Sequence, residues 1–119
     1  MRQAFAHEAT IVMEAHGDLR APGAAVTLAL CGDWEHEPPC PLAPHHTAAD
    51  RRGGTVRVRV LFATEPEKEG EVRDRIDAAL ALGTLESPDG GTTRWRLLDT
   101  RPGRLRAGEL PHAERLRRS

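Results

Sequence analysis

The chain has no tyrosine, two phenylalanines and two tryptophans, so its core has to be built from aliphatic side chains and alanine. Leu, Val, Ile and Phe together make just under one fifth of the 119 residues. That is near the level at which a chain fails to fold. A net charge of −1 argues the other way, because disorder normally needs high net charge as well. No stretch approaches the roughly 18 apolar residues of a membrane helix, so no membrane association is expected. Residues 1–20 lack a basic start followed by an apolar run, so no secretory leader is expected. A cytoplasmic location follows, where thiols stay reduced. Lysine occurs once, at Lys68; the other basic residues are arginine. Length favours one domain over 1–119.

What the chain does have is a dense group of metal-capable side chains. Both cysteines and three of the six histidines fall between Cys31 and His46, in CGDWEHEPPCPLAPHH. The soft ligands read C-x4-H-x3-C-x4-H-H: Cys31, His36, Cys40, His45 and His46. Thiolate and imidazole suit zinc, and four of them close a tetrahedral structural site. Cys31, His36, Cys40 and His45 are the expected ligands, with His46 as the alternative fourth. The spacing is not one of the usual zinc patterns. A Cys31–Cys40 disulfide and an inert polar loop compete with it. A catalytic version would use a metal-bound water with Glu35 or Glu37 as base, or a cysteine activated by a neighbouring histidine. Four prolines in this stretch exclude an ordinary helix or central strand, and the segment 31–54 reads as one long loop.

Elsewhere the patterning is plainer. Phe5 to Ala15 alternates as a strand. Ala25 to Cys31 reads as a second strand with Val26, Leu28 and Leu30 inward, paired with the first. Thr55 to Phe62 is the clearest strand, with Val56, Val58, Val60 and Phe62 on one face and Arg57 and Arg59 on the other. Thr64 and Glu67 fit a capping box for a helix over 65–82. Its buried stripe is Val72, Ile76, Ala79 and Leu80, ended by Gly83. Thr84–Ser87 and Thr92–Thr100 read as a hairpin with Trp95 and Leu97 inward. Pro102-Gly103 is expected to end the sheet, and 101–119 reads as a basic tail in which Glu109 to Arg118 forms a short helix or remains loose.

These elements predict a single α+β domain. Its antiparallel sheet has about four to five strands in the order ββ-loop-βα-ββ, with one main helix on one face. A ferredoxin-like arrangement is the alternative. If the two arginine-bearing strands share a sheet, Arg57, Arg59, Arg94 and Arg96 share its outer face. Guanidinium groups there can hold phosphate or carboxylate. Missing aromatics and a pI near 6.6 disfavour nucleic acid, and pairing with acids such as Glu8 is the plain alternative. The sequence therefore supports three functions in order. The first is a small cytoplasmic protein binding Zn2+ in a structural or regulatory role. The second is a non-catalytic domain binding an anionic ligand or partner, and the third is a small metal-dependent enzyme. The thin core with open edges also favours homo-oligomers.

Overall fold

Period-two alternation places Phe5, His7, Ala9, Ile11 and Met13 on one face of the first strand, β1 (Gln3–Met13). In the computed structural model, which describes residues 1–31, 43–87 and 90–118, this strand is the centre of a five-stranded sheet. After β1 come α1 (Ala21–Cys31), β2 (His45–Arg52), β3 (Thr55–Thr64) and α2 (Glu69–Leu82). They are followed by β4 (Thr84–Glu86), β5 (Thr92–Gly103) and α3 (Leu110–Arg117). The strand order is β2-β3-β1-β5-β4 and every pairing is antiparallel.

β1 and β2 therefore run parallel with β3 between them, joined through α1. β3 and β5 run parallel with β1 between them, joined through α2 and the β4 hairpin. These are two interleaved split βαβ units. The strand order is that of the ferredoxin-like alternative, with β4 added at one edge. The α+β class, the single domain and the antiparallel sheet are as expected from sequence.

The inner face carries the main core. Ile11, Val56, Val58, Val60, Phe62 and Trp95 of the sheet meet Val26 and Leu30 of α1 and Val72, Ile76 and Leu80 of α2. α3 packs on the opposite face, where Leu116 meets Ala6, Leu61 and Ala63. Trp95 donates its indole N–H to the Leu80 carbonyl at 2.8 Å, closing the last turn of α2. Gly83 then leaves the helix at φ +70°.

Several expectations are corrected. The second strand is absent: 21–31 is the helix α1. Val26, Leu28 and Leu30 imitate a strand, but the buried set is Ala21, Pro22, Ala25, Val26 and Leu30, which is helical spacing, and Leu28 is 38 % exposed. The order ββ-loop-βα-ββ is thus replaced by βα-ββα-ββ-α, with two helices on the inner face. The loop expected over 31–54 contains β2, and only residues 32–42 of it lie outside the described residues. Gly53-Gly54 is the two-residue turn between β2 and β3, with Arg52 opposite Thr55 and Gly53 at φ +63°.

Thr64 caps no helix. It is the buried last residue of β3, and Pro66 opens a 3-10 turn (Pro66–Lys68) ahead of α2. Pro102-Gly103 does not end the sheet, because both residues still pair with β1. Beyond Arg94, β5 has no partner on its other side, and there proline removes no ladder bond. A bulge at Leu98 puts Asp99 and Arg101 on the outer face and Thr100 on the inner one.

Candidate functional site

Strand register arranges the outer face as a grid. One row reads Asp50, Arg57, Thr10 and Asp99 from β2 to β5. The next row toward α3 reads Ala48, Arg59, Glu8 and Arg101, and the row on the other side Arg52, Thr55, Val12 and Arg96. Arg94 lies on this face beyond the end of β1, opposite Thr84 of β4. The four arginines named from sequence therefore do share one face, but they are not equivalent.

Arg59 is a structural hub. Its guanidinium meets Glu109 through two bonds, of 2.6 and 2.7 Å, and also reaches the Glu8 carboxylate and the Arg104 carbonyl. Its side chain is only 12 % exposed. The Arg59 bonds, helped by the Arg106 backbone N–H, lower the Glu109 pKa to about 2 against the opposing effect of burial. This network fixes the 3-10 turn Ala107–Glu109 and α3 onto the sheet. Gly103 leaves the room for it, since a Cβ there would sit 3.0 Å from Glu8 Cγ.

Around Arg59, other arginines are also paired. Arg52 meets Asp50 at 2.7 Å, Arg101 meets Asp99 at 3.0 Å and Glu8 at 3.5 Å, and Arg106 meets Glu8 at 3.9 Å. The side chains of Arg57, Arg94 and Arg96 are exposed and make no hydrogen bond or ion pair among the described residues. A shallow groove of about 170 Å³ runs between Arg57 and Arg106, lined by Thr10, Ala48, Asp50 and Asp99. It is smaller than a drug-sized pocket, and arginines and carboxylates line it together. No described aromatic residue lines it.

The metal-ligand set is only partly visible. His36 and Cys40 lie outside the described residues, with Trp34, Glu35 and Glu37. Cys31 is the last residue of α1. His45 and His46, adjacent in β2, point to opposite faces of the sheet. His45 faces α1: its Nδ1–H donates to the Ala43 carbonyl at 3.1 Å, and its Nε2 accepts from Thr27 Oγ1 at 2.9 Å. His46 faces the other way and meets His112 of α3, with ring centroids 4.5 Å apart and planes at 50°. Burial, with help from His46 and Arg115, lowers the His112 pKa against the pull of Glu109. One ion therefore cannot take both His45 and His46. Among the described residues no group of three or more His, Cys, Asp and Glu is placed to hold a metal ion.

A second polar cluster was not legible as a unit in sequence. His7 is buried under α2. Its Nδ1 accepts from Arg73 Nη1 at 2.9 Å, and its Nε2 lies 2.7 Å from Asp77 Oδ1 and 2.8 Å from Thr100 Oγ1. Thr100 donates to the same Asp77 oxygen at 2.7 Å. A guanidinium only donates, so the Arg73 bond assigns the ring proton to Nε2. The ring is left with no lone pair to act as a base toward Thr100. The cluster thus ties α2 to β1 and β5 and is not a hydrolytic triad. Arg73 also meets Glu69 at 2.8 Å, an i, i+4 pair within α2, and lies over the Phe5 and Phe62 rings.

No helix among the described residues is long and apolar enough to cross a membrane. In comparisons with known proteins, no family model, no curated protein and no solved structure matches the chain.

Proposed function

We propose that this chain is a non-catalytic binding domain whose outer sheet face takes a phosphate or carboxylate group from a small ligand or a partner. The observation that carries this reading is Arg57, exposed in the middle of the face and unpaired, where Arg52, Arg59, Arg101 and Arg106 already have carboxylate partners. Arg96 lies two strands away across β1 and one row further along, about 12 Å by strand spacing and rise, and is also unpaired among the described residues. Free guanidinium groups bind such oxygens by paired N–H bonds. The lack of stacking aromatics in the groove speaks for an anionic group over a nucleobase. The test is retention on a phosphate-bearing resin at low salt. The Arg57→Glu, Arg96→Glu double variant should elute early while keeping its melting temperature. Unaltered retention would remove the reading.

A second reading keeps zinc at the 31–46 segment, in a reducing cytoplasm, as a structural or regulatory site. It rests on the density of cysteine and histidine in that segment; to ligate, His45 Nε2 would exchange its Thr27 hydroxyl partner for the metal. Native mass spectrometry of untagged protein before and after a chelator tests it. One zinc per chain, lost on chelation and on Cys40→Ser, is expected. Protein that takes up no zinc after reconstitution contradicts it.

A further inference from the structure

His46 and His112 are 66 positions apart in sequence yet their rings are in contact. β2 alternation turns His46 outward, opposite Leu61 of β3. On α3, His112 lies one turn before Leu116, which is buried against Leu61 and Ala63. Packing of Leu116 thereby lowers His112 onto His46. Among the described residues neither ring has a hydrogen-bond partner, although each carries two ring nitrogens. Glu109 borders the same hollow, but both its oxygens are taken by Arg59.

We propose that His46 and His112 form a two-imidazole site for a borderline divalent ion, Zn2+, Ni2+ or Cu2+, which clamps α3 to the edge strand β2. Imidazole suits these ions and not Mg2+ or Ca2+. Metal–nitrogen bonds of about 2.0–2.1 Å put two ligand nitrogens on one ion roughly 3–4 Å apart. Rings with centroids at 4.5 Å are close enough for one nitrogen of each to approach that separation. Since Glu109 is held by Arg59, water fills the remaining positions, and the ion exchanges readily. The site uses neither cysteine nor any residue of 32–42; it shares only His46, the alternative fourth ligand, with the segment 31–46 reading, and it adjoins the arginine groove at Ala48 and Arg59. An ion bound here joins distant parts of the folded chain and stabilises it by mass action.

The test titrates untagged, full-length Cys31→Ser, Cys40→Ser protein with NiCl2, by calorimetry and by melting. This parent should bind one Ni2+ and melt a few degrees higher with it. His46→Ala and His112→Phe, the latter keeping a ring in contact, should each lose roughly tenfold or more in affinity. Both should lose the metal-dependent rise in melting temperature, whereas His45→Ala should keep both properties. Equal affinity of His112→Phe and its parent would overturn the proposal, leaving the rings as a stacked pair. No binding by the thiol-free parent would overturn it equally.

Discussion

Removing the charge at Glu109 should expose how the C-terminal segment is held. In Glu109→Gln, Arg59 keeps Glu8 and the Arg104 carbonyl but loses its two-bond carboxylate partner. A carboxyl moved from 4.5 to about 2 on folding corresponds to roughly 3 kcal/mol of stabilisation of the native state at neutral pH. The Glu109 side chain is still 20 % exposed, so solvent screening brings the expected loss to about 2 kcal/mol. The direction with pH follows from the lowered value. Stability from this group is complete above the unfolded value of 4.5 and fades as pH falls through about 2. Urea unfolding of both proteins at pH 7, 5, 3.5 and 2.5 gives the difference directly. It should stay near 2 kcal/mol down to about pH 5 and shrink below that. A difference that is flat with pH, or under about 0.5 kcal/mol throughout, would refute the assignment of Arg59–Glu109 as the clamp.

Two further changes test the packing. Gly83→Ala puts a Cβ 2.6 Å from the Trp95 carbonyl oxygen at φ +70°. It should cost about 1–3 kcal/mol in urea unfolding, and a neutral result would contradict the left-handed exit of α2. His7→Ala strands a donor of Arg73 beneath α2 and takes the Nε2–H away from Asp77 and Thr100, and should cost roughly 2–4 kcal/mol. Amide exchange in α2 should speed up with it, and unchanged protection there would contradict the role given to His7.

The β1, β3 and α2 patterns were legible because Val, Ile and charge alternate there at clean periods. α1 was misread because it is apolar almost all round: with no polar face, Val26, Leu28 and Leu30 match period two as well as helical spacing. β2 was missed because HHTAADRR contains no Val, Ile or aromatic residue other than histidine. Its signal was indirect. Gly53-Gly54 just before the clearest strand is a two-residue hairpin turn, and such a turn requires an antiparallel partner over the preceding residues. Recognising it would have separated His45 from His46, since neighbours in a strand face opposite ways.

The Arg57–Arg59 face was read from alternation alone. Which arginines are free was not legible, because the acids that pair with them come from Glu8, Asp50, Asp99 and Glu109, on three strands and a 3-10 turn. The His46–His112 contact lay beyond sequence reasoning for the same reason: it depends on where α3 docks.

The central claim is that the outer face around Arg57 receives an anion. Its most direct test is a titration of 15N-labelled protein with inorganic phosphate at low salt, followed by amide and arginine side-chain shifts. Saturable shifts are expected at Thr10, Arg57, Arg96 and Asp99, lost in the Arg57→Glu, Arg96→Glu variant. Shifts confined to other surfaces, or equal in the variant, would contradict it.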